Sequence, residues 1–242
     1  MLWQDEGVIL AVRRHGESSA VLSVFTAQHG RHAGLVRGGA GRRALPVNQI
    51  GNRVQATWRA RLADQLGSFT LEPLAPVAAW LLDRPDRLTG LGSACALLEA
   101  GLPERDPHPN LYSDLNHLIE ALVQDGPWLE HYVRFEIALL ADLGFGLDLS
   151  ACAVSGATDD LAYVSPRTGR AVSRDAAGPW VDRLLPLPAF LIGQGPADRA
   201  QIRAALHLTG TFLRRHLSDI CDVAVPNVRQ LLLDRLDRSG PS

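Results

Sequence analysis

The strongest constraint in this chain is a change of hydrophobic period near Pro76, from two-residue alternation before it to a helical repeat after it. Side chains alternate across a strand but recur every 3.6 residues on a helix, so no stretch can serve both patterns. Before Pro76 the apolar runs are short and rich in β-branched residues: Val8 to Val12, Val21 to Phe25, and a third that includes Leu35 and Val36. The string AQHG at 27–30 separates the second run from the third and reads as a hairpin turn. In RVQATWRAR (53–61), Val54, Ala56 and Trp58 share one face, and Phe69 and Leu71 mark a fifth strand. Five short strands within about 75 residues predict a small closed or partly closed barrel. Its aromatic residues Trp3, Phe25, Trp58 and Phe69 are expected to fill the core rather than present a stacking surface.

After Pro76, Leu111, Leu115, Leu118, Ile119 and Leu122 follow the i, i+3, i+4 rule. A second helix is expected over 128–143, with Tyr132, Phe135, Leu139, Leu140 and Leu143 inward and Gly144 as its C-terminal cap. A third covers about 197–217, with Ile202, Ala205, Leu206, Thr209, Phe212 and Leu213 as its inner stripe. A last helix follows Pro226, with Asn227 as N-cap and Leu231, Leu232 and Leu236 inward. Residues 148–196 carry few periodic signals and read as irregular. The fold class is therefore α+β in two parts, a β module at 1–76 and a mostly helical domain at 77–242.

Charge is distributed unevenly. The net charge is −2, but residues 1–75 hold nine Arg against five acids, a surplus of +4, which leaves −6 for the remainder. From Arg31 to Arg61 there are seven Arg and no acid. All 24 basic residues are Arg, whose planar fork matches phosphate oxygens and stacks on bases. Such a block attracts a polyanion. The expected phosphate contacts are Arg31, Arg37, Arg42 and Arg43, with Arg13 and Arg14 nearby on the first strand.

The loop RGGAGRR (37–43) lacks the Lys-Ser/Thr ending of a nucleotide-binding P-loop and no helix pattern follows it, so it reads as a cationic hairpin loop. The eight histidines contain no i, i+4 pair and no HExxH string, and HGES at 15–18 places its residues together in sequence only. Asp159 and Asp160 read as turn residues. No enzyme constellation, cofactor site or metal site emerges from these residues. Asp5 and Glu6 stand where a secretory signal would need positive charge, and no apolar run approaches a membrane span. Cys95, Cys152 and Cys221 are odd in number and far apart, which fits a reducing compartment, so a cytoplasmic protein is expected.

Four strings together resemble the RecO family of bacterial recombination mediators: GVILAVRRHGESSAVLSVFTAQHGRHAGLVRGGA (7–40), RFEIALLADLGFGLDLSACAVSG (134–156), YVSPRTGRAVS (163–173) and DRLLPLP (182–188). The resemblance runs from end to end in the expected order. It implies an N-terminal OB fold before the helical domain and a non-enzymatic role in repair and recombination at the nucleoid. That role is binding single- and double-stranded DNA, annealing complementary strands, and loading recombinase onto DNA coated by single-strand-binding protein. The implied partners are the RecR protein and the acidic C-terminal tail of that coating protein, with Arg134 beside Phe135 as candidates to receive the tail's carboxylate end. A scaffold whose barrel joins partner proteins without meeting DNA is the competing class.

Many members of that family carry a zinc site of two Cys-x-x-Cys pairs in the central segment. Here the first pair reads Cys152-Ala-Val-Ser155, and the second region offers Ser173 and Ala176. One thiolate of four cannot make a structural zinc site. The segment at 148–196 is therefore expected to be zinc-finger-like without its cysteines and held by packing through Leu161, Tyr163, Val164 and Val172.

Overall fold

The computed structural model describes residues 1–62, 64–221 and 224–238. Its packing divides the chain into two compact units, residues 1–126 with 226–242 and residues 127–225.

The first unit is built on five strands: β1 (Leu2–His15), β2 (Ser19–Thr26), β3 (Gly30–Val36), β4 (Arg53–Arg59) and β5 (Ser68–Ala75). They close into a barrel in the order β1-β2-β3-β5-β4, the topology of an OB fold. All neighbours are antiparallel except β3 and β5, which meet in parallel at Leu35 and Ser68. β1 is 14 residues long because it serves two partners, Leu2–Val8 pairing with β4 and Gly7–His15 with β2. A register irregularity between Ile9 and Ala11 bends it from one to the other. Ile9, Leu22, Val24, Val54, Ala56, Trp58 and Phe69 form the core, so the alternation of 54, 56 and 58 is the inward face expected. Trp58 fills it most fully and satisfies its buried indole N–H on Leu66 O at 3.0 Å. The turn at 27–29 ends on Gly30 (φ +63°), where a Cβ would stand 1.9 Å from Asp106 O, so only glycine fits.

Helices α1 (Val77–Trp80), α2 (Pro85–Gly101), α3 (Pro109–Val123) and α7 (Asn227–Arg238) complete this unit. α3 carries the stripe read from Leu111, Leu115, Leu118, Ile119 and Leu122, and its Tyr112 meets Phe25 edge-on at 5.6 Å. Helix α2 gave no periodic signal because it is covered on several sides: Gly90, Leu91, Ser93, Ala94, Cys95, Leu97 and Leu98 are all buried. The last helix corrects two expectations. Asn227 is its first residue rather than its cap, and Leu231 is exposed while Leu232 and Arg229 are buried.

The second unit holds α4 (Trp128–Asp142), β6 (Leu161–Val164), β7 (Ala171–Ser173), α5 (Arg174–Ala177), β8 (Leu185–Pro186) and α6 (Arg199–Cys221). The stretch expected to be irregular contains a three-stranded sheet in the order β7-β6-β8, whose strands of two to four residues are too short to show a period. Leu161, Val164 and Val172 are buried in it, and Tyr163 is half-buried. α4 packs with α6, and buried Glu136 accepts a hydrogen bond from the Thr209 hydroxyl. Gly144 (φ +88°) ends α4 as expected, Gly144 N–H bonding Ala141 O and Phe145 N–H bonding Leu140 O. Cys95 and Cys152 are buried free thiols, whereas the side chain of Cys221 lies outside the described residues.

His32 in β3 is buried among Trp3, Trp58 and Phe69 at ring separations of 5.1, 4.6 and 6.4 Å. Burial, aided by the positive fields of Arg105 and His29, lowers its pKa to about 4. The folded value lies below the unfolded one, so its contribution is full above pH 6.5 and is lost as pH falls toward 4. Urea denaturation at pH 7 and pH 5 is expected to show about 2 kcal/mol of acid destabilisation that the His32→Phe protein lacks. Equal pH dependence in the two proteins would remove His32 from this account.

Candidate nucleic-acid interface

The strand register decides where each arginine stands. Arg14 on β1 pairs with Ala20 on β2, and Ala20 pairs with Val36 on β3. One rung of the sheet therefore sets the end of β1 two strands from the start of the 37–52 loop. The contact is closed by the Ala40 N–H, which donates to Ser18 O in the β1–β2 turn at 2.9 Å. Arg13, Arg14, Arg37, Arg42 and Arg43 thus gather at one end of the barrel, although 22 residues lie between Arg14 and Arg37 in sequence.

The 37–52 segment differs from the hairpin loop expected. β3 and β4 are not neighbours in the sheet, so the loop crosses between non-adjacent strands. It is a chain of tight turns, with Gly39 N–H to Val36 O at 3.1 Å, Gly41 N–H to Gly38 O at 2.9 Å and Ala44 N–H to Gly41 O at 3.0 Å. Two buried asparagines fasten it from inside. Asn48 Nδ2 donates to Gly39 O at 3.0 Å, while Asn52 Nδ2 donates to Pro46 O and Val47 O and its Oδ1 accepts from Ala78 N–H. A side chain that replaces backbone partners holds a loop without strands on either side. Neither asparagine stood out in the sequence, because its role depends on contacts made only in the folded loop.

The arginines fall into two groups. Arg37, Arg42 and Arg43 are exposed and make no ion pair or side-chain hydrogen bond among the described residues. Arg14 is likewise exposed, and Arg13 keeps three-quarters of its side chain in solvent while touching Glu99 Oε1 at 3.3 Å. Arg31 lies near the other end of β3, about 20 Å of extended chain from Arg37, and shares the Glu99 carboxylate with Arg13. Only 15% of its side chain is exposed, its Nε donates to Leu102 O at 2.8 Å, and its Nη1 lies 3.5 Å from Glu99 Oε2 and 3.7 Å from Glu104 Oε1. Arg31 thus ties β3 to the C-terminal end of α2. Arg53 is paired to Glu6 at 3.4 Å, and Arg59, the last residue of β4, and Arg61, beyond it, are exposed.

The aromatic residues are mostly core, as expected, but Trp3 is only half-buried and stacks on half-buried His29 at 4.2 Å. In the second unit Arg134 and Phe135 part company. Phe135 is 1% exposed inside the helical core. Arg134 is exposed, its Nη2 donates to Phe190 O at 3.1 Å, and its guanidinium lies 5.9 Å over the Phe190 ring. Among the described residues no group of three or more His, Cys, Asp or Glu is arranged to hold a metal ion, and no helix is long and apolar enough to cross a membrane.

Comparison with known proteins gives a consistent result. Residues 1–77 match the family description "Recombination protein O N terminal" and residues 82–219 match "Recombination protein O C terminal". A DNA repair protein RecO of Cereibacter sphaeroides is 52% identical over 240 residues, covering 99% of this chain and 100% of the relative. The proteins of the same name from Ruegeria sp. and Rhodospirillum rubrum are each 50% identical, covering 98% of this chain and 99% and 96% of the relatives.

The two arginine groups make opposite predictions for stability. Arg31→Ala leaves Leu102 O without its donor and Glu99 with only the largely exposed Arg13, and a loss of about 1–2 kcal/mol is expected in denaturant unfolding. Changing Arg37, Arg42 and Arg43 together to Ala is expected to shift stability by less than about 0.5 kcal/mol.

Proposed function

The chain belongs to the RecO family of DNA repair proteins, and from that premise we propose that its barrel grips DNA by the cationic end formed by Arg13, Arg14, Arg37, Arg42 and Arg43. The observation that carries this reading is the hydrogen bond from Ala40 N–H to Ser18 O, which fixes an arginine-bearing loop against the β1–β2 turn. An OB fold takes nucleic acid by its β1–β2 and β4–β5 loops and the face of its second and third strands, and the Ala40–Ser18 bond sets the 37–43 arginines beside the first of these loops. Three guanidinium groups on folded turns and two at the end of β1 neutralise phosphates with little loop ordering left to do on binding.

Contacts of this kind go to the backbone, so single and double strands are both accepted and sequence preference is slight. With the phosphate charge of one strand neutralised, a complementary strand approaches without repulsion, which is the physical basis of annealing. Recombinase loading onto DNA coated by single-strand-binding protein then needs a second contact, to the acidic C-terminal tail of the coating protein. Arg134 supplies a cation for the terminal carboxylate, beside the Phe190 ring rather than Phe135. RecR is the further protein partner of this reading, and the role is one of binding and positioning rather than catalysis.

Fluorescence anisotropy of a labelled single-stranded oligonucleotide at several salt concentrations tests the barrel. The Arg37→Ala/Arg42→Ala/Arg43→Ala protein is expected to bind more weakly, with a log–log salt slope shallower by about 2, the loss of three phosphate contacts. Failure of the unmodified protein to bind at low salt would favour a protein-joining barrel whose DNA role is supplied by partners. For the tail site, an Arg134→Ala protein is expected to lose affinity for a tail peptide, and unchanged affinity would remove Arg134 from it.

A further inference from the structure

Cys152 opens a tight turn in the second unit. Gly156 (φ +76°) donates its N–H to Cys152 O at 2.9 Å, and Cys152 N–H donates to Ala157 O at 2.7 Å. The residue is 2% exposed, yet its sulfur accepts from three donors: Ser155 N–H at 3.5 Å, Ser173 N–H at 3.3 Å and the Ser173 hydroxyl at 3.5 Å. Two segments 21 residues apart in sequence thus converge on one sulfur atom. Ser155, Ser173 and Ala176 also line one surface hollow of about 430 Å³, rimmed by Asp159, Asp160 and Asp175.

That arrangement can be measured against the zinc site the family implies. Four thiolates with Zn–S arms of about 2.3 Å stand about 3.8 Å from one another at the corners of a tetrahedron. Cys152 Sγ and Ser173 Oγ, at 3.5 Å, are already spaced within a few tenths of an ångström of one such edge. The positions come in two pairs, 152 with 155 and 173 with 176, each three residues apart on its own turn. The donor set does not fit zinc, however: one thiol, two neutral hydroxyls and a methyl group provide a single good ligand.

We propose that residues 152–176 keep the backbone of a four-thiolate metal site in which hydrogen bonds to one sulfur replace the metal, so that three cysteines at 155, 173 and 176 suffice to make the site bind zinc. Burial by itself would raise the Cys152 thiol, but the hydrogen bonds from Ser155 and Ser173 outweigh it and bring the pKa down to about 6. Three donors from two segments thus converge on the sulfur where a cation would otherwise stand. The turn on each side is specified by its own backbone bonds and by the β6–β7 pairing of Leu161 with Ser173.

The test is metal binding by the full chain. The unmodified protein is expected to carry no stoichiometric zinc by elemental analysis and to keep its Tm in the presence of a chelator. The Ser155→Cys/Ser173→Cys/Ala176→Cys protein, refolded with metal, is expected to take up one equivalent of Co²⁺ with the absorption of a tetrahedral thiolate site. Zn²⁺ should displace that Co²⁺ and raise the Tm. The Ser155→Cys/Ser173→Cys protein, less altered, is expected to give a weaker three-thiolate site, and adding Cys152→Ala to either should abolish the spectrum. Stoichiometric zinc in the unmodified protein would overturn the proposal. So would either cysteine variant folding without binding Co²⁺ tetrahedrally, or a spectrum that survives loss of Cys152.

Discussion

The double pairing of β1 is the constraint on which the first unit depends. One strand hydrogen-bonds β4 with its first half and β2 with its second, and only a strand of this length can close five strands into a barrel. Closure leaves no free edge, and it also fixes register, since a slip of one residue would turn Val54, Ala56 and Trp58 out of the core. Fixed register is what gathers the arginines. Arg14, Ala20 and Val36 share a rung because the strands cannot slide, so the Arg37–Arg43 loop begins beside the end of β1.

Within that frame one residue type does two jobs, and burial separates them. Arg31 is largely removed from water and spends its donors on Leu102 O, Glu99 and Glu104, where an unpaired partner would be costly. Arg37, Arg42 and Arg43 stay exposed, with no ion pair or side-chain hydrogen bond among the described residues. The acid-free run from 31 to 61 looks uniform in sequence, but the acids that pair with its members come from β1, α2 and the segment after α2.

The barrel was legible because period two and β-branched runs are local signals, and so were the amphipathic helices α3, α4 and α6. Helix α2 was not, because a helix covered on several sides has no polar face to set a phase, and the β6–β8 sheet was not, because strands of two to four residues are too short to establish a period. Of the proposed interface, the charge pattern marked the run of arginines, and the structure shows Arg37, Arg42 and Arg43 exposed. Arg31 was misplaced among them, since Glu99 and Glu104 lie some seventy residues away in sequence. Asn48 and Asn52 were missed because nothing in a loop's composition says which asparagine turns inward. Phe135 was read correctly as an inward-facing helix residue and was for that reason a poor choice for a docking surface.

Helix α7 packs with α2 inside the unit that contains the barrel, with Arg235 reaching Asp86 at 3.9 Å and Leu232 fully buried. Residues 127–225 are therefore an insertion in a unit that begins before them and finishes after them. As the chain leaves the ribosome, the barrel strands emerge first, but their unit waits for α7 before its packing is complete, while the inserted unit has all its own elements earlier. The order of synthesis and the order of completion run in opposite directions. The nascent chain consequently spends a period with the buried face of α2 uncovered, an interval in which a chaperone or a wrongly placed helix could occupy the place of α7.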